Sequence, residues 1–331
     1  MITFSIVMPY FNRKDQLRLT LERYASSPLA ASCEVILVDD GSSAEHRLDA
    51  SFVDAFAPLS FRLYYLPRDR RTWVNPCIPC NFGLTKARGE WIILQSPEVY
   101  PYTSGTPDDL LTYLSGANRA LYHVMEVFAL PPPMDAATMR TRFAKGDHAQ
   151  AIVGSSLKHR VPGEWHTVWY THRRHKPNFL HFCAAMHRSV LDQVGGFNPA
   201  MAHGIDYDDN EFVERVKRVA KPVYIPSPFV GFHLWHPRFN YMVEESIQTA
   251  QREANKQIFI ETVRTPSLIH VDISQHQPEC VEELSSSIMS SLPSPSTTRG
   301  SSATDSGVST VPLDANDAND AIDANDATGD R

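Results

Sequence analysis

Four short segments gather the side chains able to do chemistry. Asp39-Asp40-Gly41-Ser42 and Ser96-Pro97-Glu98 set acids beside turn signals, and Asp206-Tyr207-Asp208-Asp209-Asn210-Glu211 holds four acids in six residues. Phe232-His233-Leu234-Trp235-His236-Pro237 spaces two histidines three apart. Carboxylates so placed can hold a hard divalent cation or take a proton from a hydroxyl. Plainer roles compete with each. Asp39-Asp40-Gly41-Ser42 also suits a simple turn after a strand, and acids at a helix N-terminus are favourable for the dipole alone, by ~0.3–1 kcal/mol each. The two imidazoles converge only if their segment is turned or helical. Cys77-Ile78-Pro79-Cys80 has metal or redox spacing, but a lone pair with no second pair points to a structural role.

The elements that must position these groups alternate. Thr3 to Pro9 is a mostly apolar run of strand length, and Asn12 is placed to cap a helix with Leu17, Leu21 and Tyr24 on one face. Cys33 to Val38 reads as a second buried strand, Phe61 to Leu66 as a third, and Trp91 to Leu94 as a fourth after a helix over 81–87. Strand and helix in alternation predict right-handed crossovers and a mostly parallel sheet flanked by helices. Ligands then sit beyond the carboxyl ends of the strands. Asn12-Arg13, Asp39-Asp40 and Ser96-Pro97-Glu98 all fall there. A later strand over 179–186, a short helix ending at Gly195-Gly196, an acid-led helix from Asp208 and a last helix over 244–259 complete the pattern.

Composition bounds the rest. Of 331 residues, 42% are hydrophobic and 21% charged, the balance of a globular chain. The net charge of −7 is unevenly placed: residues 305–331 carry seven aspartates and one arginine, a net −6, which leaves about −1 for the rest. A nearly neutral body argues against a nucleic-acid partner. No run approaches the ~20 apolar residues of a transmembrane span, and the N-terminus has no signal-peptide pattern. Five scattered cysteines suit a reducing compartment, hence a cytoplasmic location, with or without peripheral attachment to a membrane. Composition turns near Thr265-Pro266 and ends in a Ser-rich stretch and an Asp-Ala-Asn repeat too polar to bury a core. The expected division is a body over 1–265 and a disordered acidic tail over 266–331.

Taken in order, these motifs resemble the family-2 glycosyltransferases, inverting enzymes of GT-A fold that use nucleotide-diphosphate sugars. Ser5 to Arg13 looks like that family's opening strand and turn, and Val38-Asp39-Asp40-Gly41-Ser42 like its nucleotide-binding strand end. Asn81, Gly83 and Ala87 to Ile92 look like the helix and strand that lead into its metal motif. Gly195-Gly196-Phe197 and Asp208 to Arg215 look like its acceptor-side block and base-bearing helix. The resemblance spans residues 3 to 236. It departs where the family has Asp-x-Asp: this chain has Ser96-Pro97-Glu98.

The resemblance implies roles. Asp209 is the general base and Asp208 an acceptor-binding neighbour. Asp40 accepts from the nucleoside base with Asp39 close by, and Pro9, Asn81, Ser96 and Glu98 complete the nucleotide-sugar site. Glu98 inherits the metal, Mn²⁺ or Mg²⁺, with His236 first and His233 second among histidine partners. In the aromatic and basic run from Trp165 to His175, Trp165 and Arg173 are candidates for binding a carbohydrate-type acceptor, because aromatic faces pack on sugars and arginines reach phosphates. The expected reaction moves a sugar from a nucleotide-diphosphate donor to a hydroxyl of a glycan, lipid-linked or protein acceptor. The alternative is a catalytically degenerate nucleotide-sugar binding module, which the Ser-Pro-Glu replacement supports and Asp209 opposes.

Overall fold

β1 (Phe4–Tyr10) and β2 (Cys33–Asp39) are apolar almost throughout because both of their faces are covered. The computed structural model describes residues 2–103, 109–132, 134–145, 149–157, 168–236, 244–274, 277–278 and 281–284. In it Ile6, Met8, Val35 and Leu37 enter one core, while Val7, Ile36 and Val38 enter a second on the opposite face. β3 (Ser60–Tyr65) follows, and β4 (Trp91–Gln95) repeats the alternation, Trp91 and Ile93 against Ile92 and Leu94. A period of two thus serves two cores at once. α1 (Lys14–Ala25) and α2 (Ala50–Asp54) lie over the first core and α3 (Cys77–Lys86) over the second. Gly83 permits that last approach, since a Cβ there would meet Val7 Cγ1 at 2.6 Å.

The remaining elements are β5 (Val99–Tyr102), α4 (Leu110–Ser115), β6 (Leu121–Val124), β7 (Val127–Ala129), α5 (Ala136–Ala144) and α6 (Ala149–Leu157), then β8 (Trp169–Thr171), β9 (Cys183–His187), α7 (Arg188–Val194) and α8 (Asp208–Val216). β10 (Lys221–Tyr224), β11 (Val230–His233), α9 (Glu245–Arg264) and β12 (Glu282–Leu284) close the order. The large sheet runs β10-β6-β9-β4-β1-β2-β3-β12, and a small one runs β5-β11-β7-β8. The core strands β4, β1, β2 and β3 are parallel, as expected. β9 enters antiparallel between β4 and β6. No helix among the described residues is long and apolar enough to cross a membrane.

Two expectations need correction. Asn12 does not cap α1. It takes a left-handed backbone, φ 48°, and turns to the loop after β2, where its Oδ1 accepts from the Ser43 N–H at 3.0 Å. The division at residue 265 also moves. The Val271 N–H donates to the Val194 carbonyl at 3.0 Å, Ile273 packs on the second core, and β12 pairs antiparallel with the edge of β3. Described residues packed on the body therefore lie beyond 265, among 268–274 and at 281–284. A segment that docks through its backbone and a few apolar side chains leaves no periodic signature in its sequence. The Ser-rich stretch and the acidic repeat beyond it lie outside the described residues.

Candidate active site

The ends of β1 and β2 are tied together before any ligand is considered. Register sets Tyr10 opposite Asp39, and the Asp40 N–H donates to the Tyr10 carbonyl at 2.8 Å. Gly41, at φ 83°, turns the chain so that the Ser42 N–H reaches Asp39 Oδ1 at 2.8 Å. Ser42 Oγ in turn accepts from the Asn12 N–H at 3.0 Å. Burial pushes the Asp39 carboxyl up to about 7 against the opposing pull of the Ser42 hydrogen bonds, and its Oδ2 makes no hydrogen bond. Asp40 is braced from the other side: the Trp73 indole N–H donates to Oδ1 at 3.0 Å and the Arg71 guanidinium lies 3.5 Å from Oδ2.

A cleft opens beside these strand ends. Pro9, Asp40, Ser96 and Glu98 line it together with Asp209 and His181. Glu98 occupies the turn between β4 and β5. β11 runs antiparallel to β5 and sets His233 opposite Val99, which brings His233 Nε2 to 3.5 Å from Glu98 Oε1. The Leu234 N–H donates to the Glu98 carbonyl at 2.9 Å, and the chain turns so that the His236 ring centre lies 5.3 Å from that of His233. One ligand atom from each of Glu98, His233 and His236 falls within 4.8 Å of the others. The turn that the two histidines needed is therefore present.

Asp209 stands on the first turn of α8. The approach to that helix is strained: Asp206 and Tyr207 are consecutive left-handed residues, φ 66° and 61°, each costing about 1 kcal/mol or more. α9 holds them. Arg252 Nε donates to Asp206 Oδ2 at 2.7 Å and Asn255 Nδ2 to the Asp206 carbonyl at 2.9 Å. The turn sends Asp208 inward, 2% exposed, and Asp209 to the cleft. Burial first, then the Asp209 charge, holds Asp208 above the usual carboxylate range against the opposing pull of the nearby Asn75 amide. Asp209 Oδ1 lies 3.0 Å from His181 Nδ1. Nδ1 makes no well-aligned hydrogen bond, so this contact acts chiefly as charge against charge. Farther along α8, Glu211 and Arg215 form a fully buried ion pair at 2.8 Å. Arg215 also donates to the carbonyls of Val194, Gly196 and Ile269.

The structure brings together Pro9, Asp40, Ser96, Glu98, His233, His236 and Asp209, with Asp39 just beneath the cleft wall. It separates the others. Asn81 is fully buried, and both ends of its amide serve the backbone of Phe197: Nδ2 donates to the carbonyl and Oδ1 accepts from the N–H, each at 2.8 Å. It clamps α3 to the Gly195-Gly196-Phe197 turn rather than binding the donor. Asp208 faces the interior and not an acceptor. Arg173 folds onto Glu126 at 2.7 Å and the Ile225 carbonyl at 3.1 Å, away from the cleft lining. Trp165 and His166 lie outside the described residues. His181 was not anticipated. It precedes β9, whose Cys183 pairs with Gln95, so the start of this antiparallel strand shares an edge with the carboxyl end of β4.

Residues 5–96 match the family model described as Glycosyl transferase family 2. The match covers this stretch alone. It ends one residue beyond β4, so it contains Pro9, Asp39, Asp40 and Ser96 but none of the histidines or Asp209. The fold as a whole is a mixed α/β one, with a large central sheet flanked by helices. Solved structures similar to this chain include Staphylococcus aureus TarS 1-349, at 14% identity over 70% of this chain and 60% of that one, TM-score 0.46. TarS 1-349 in complex with UDP matches at 13% identity over 80% and 71%, TM-score 0.48. The mannosyltransferase PcManGT from Pyrobaculum calidifontis, in complex with GDP-Man and Mn²⁺, matches at 16% over 80% and 72%, TM-score 0.43. The chain spans 60% and 43% of the first two TarS structures it matches. No curated protein matches the sequence.

Proposed function

We propose that this protein is a glycosyltransferase that moves a sugar from a nucleotide-diphosphate donor to a hydroxyl, with inversion. The observation that carries the reading is a single cleft with Asp40 at the strand-end wall, Glu98 and two histidines beside it, and Asp209 also facing in. Asp40, fixed by Trp73 and Arg71, is placed to accept from a nucleobase. Asp209 takes the proton of the attacking hydroxyl. The hydroxyl oxygen then supplies the electron pair of the new bond to the anomeric carbon, and the old bond's pair leaves with the nucleoside diphosphate. One such displacement inverts the anomeric carbon, and one base suffices for it.

Glu98, His233 and His236 fit a divalent cation: one carboxylate oxygen and two imidazole nitrogens lie within 4.8 Å of one another. That donor set suits Mn²⁺ better than Mg²⁺, which prefers oxygen alone. Such an ion, when bound, neutralises charge on the departing diphosphate. The acceptor is a hydroxyl of a glycan, a lipid-linked sugar or a protein.

The test is Asp209→Asn, which keeps the shape but cannot take the proton. With UDP-, GDP- and dTDP-sugars screened in the presence of Mn²⁺, the variant should lose ~10²–10⁴-fold in transfer rate and keep its donor affinity by calorimetry. Equal rates would remove Asp209 as the base. Donor binding without transfer by either protein would instead support a nucleotide-sugar binding module.

A further inference from the structure

His181 lies where neither the strand-end rule nor the matched segment looks, and it meets Asp209 more closely than any other charged group does among the described residues. Its ring is held in place by the second core: it packs 4.7 Å from Phe197 and 6.3 Å from Phe212, ring centre to ring centre, and those two phenylalanines stack on each other at 4.5 Å. Both His181 and Asp209 line the cleft. The geometry points to His181 as the positioning residue for Asp209, pinning one carboxylate oxygen so that the other is left for the acceptor hydroxyl. This rests on Asp209 being the base.

The electrostatic surroundings agree. Burial alone would lower the His181 imidazole, but the charges of Asp209 and then Asp208 outweigh it and hold the ring above its ordinary value. The ring is therefore a cation over more of the working range than a free histidine. A cation 3.0 Å from a carboxylate favours the ionised carboxylate, the form that can take a proton. Other groups act on the same pair. Asp208 adds negative charge from the same helix turn, Asp206 lies in the preceding turn, and the Cys80 thiol and Tyr122 phenol feel the Asp209 charge from α3 and β6. Asp206 is itself paired with Arg252, so His181 is the cation that meets Asp209 directly.

The roles of orientation and charge separate by substitution. His181→Asn leaves a neutral donor near the former Nδ1, whereas His181→Ala leaves neither donor nor charge. With the donor that wild type turns over, both variants should keep donor KM. The alanine variant should lose up to ~10²-fold in kcat and the asparagine variant less. In both, the acid limb of the kcat profile should move up by about one pH unit or more. The imidazole resonances of the full-length chain, followed through pH by NMR, provide a readout that needs no turnover: the His181 midpoint should fall in Asp209→Asn. An unchanged midpoint, or variants with the wild-type acid limb while Asp209→Asn is dead, overturns the proposal and leaves the base intact. Failure of wild type to transfer removes the base, and its positioning residue with it. Should the alanine variant not fold, the asparagine variant and the NMR midpoint still decide.

Discussion

The two sides of the cleft are built differently. The proposed donor side comes from β1, β2 and β4, three parallel strands whose carboxyl ends meet within the first hundred residues, and the matched family segment covers almost all of it. The other side is assembled from the start of an antiparallel strand, the end of a strand in a second sheet, and a helix entered through two left-handed residues. Its groups lie at residues 181, 233, 236 and 209, and each depends on partners far along the chain. The donor side is a property of one local fold. The base side exists only when distant segments have docked, and its stability should be correspondingly easier to remove.

The strongest way to break this contrast is to cut the chain after Thr265. The cut removes the Ile269 carbonyl from Arg215, the Val271 bridge to Val194 and the β12 edge of β3. At about 1 kcal/mol for each lost hydrogen bond, the cost should be ~3–5 kcal/mol, read as a lower Tm. Hydrogen exchange should quicken in α8 before it does in β1 and β2. A cut after Leu284 should leave both stability and donor turnover as they were. If the first cut is harmless, the docked segment has no structural role.

Glu98 lies at the seam, since its strand end belongs to the donor side and its histidines to the other. Glu98→Gln should lower Mn²⁺-stimulated donor hydrolysis by roughly 10²–10³-fold, the loss of a few kcal/mol of charge stabilisation. Mn²⁺ binding followed by electron paramagnetic resonance should weaken in parallel. Metal dependence that survives the change would take Glu98 out of the site.

A last effect, small at any one pH step, sharpens the donor side alone. Asp39 is pushed up to about 7 when folded, against about 3.9 in an unfolded chain. Between these values the folded protein holds the extra proton, so stability from this group is greatest near pH 4 and falls as pH rises toward 7. The slope is at most ~1.4 kcal/mol per pH unit. Chemical denaturation of ligand-free protein should show this decline in wild type and a flatter profile in Asp39→Asn. Parallel profiles would mean that Asp39 ionises as readily in the folded chain as outside it.

Legibility in the sequence follows the same line between the two sides. β1, β2 and β4 announce themselves as apolar runs stopped by polar residues, and their ends supplied Pro9, Asp40, Ser96 and Glu98. Asp209 was visible as part of an acidic cluster. Which of its two adjacent acids faces the cleft was set by the turn at Asp206 and Tyr207, whose left-handed backbone nothing in those residue types demands. Asn81 reads the same in sequence whether its amide meets a ligand or, as here, the Phe197 backbone. His181 was hidden because the strand-end rule looks only at carboxyl ends of parallel strands, whereas an antiparallel neighbour presents its beginning at that edge.

The buried pair of Glu211 and Arg215 gives the base helix a place in time as well as in space. A growing chain emerges from its amino end, and the strands that cradle the donor are complete by residue 95. Arg215 still needs an oxygen from Ile269, which is made more than fifty residues later. Until then a guanidinium meant for the interior has one of its oxygen partners missing, and the helix that carries Asp209 is held by that much less. The nascent protein thus completes the proposed nucleotide wall of its cleft well before it completes the wall that carries Asp209.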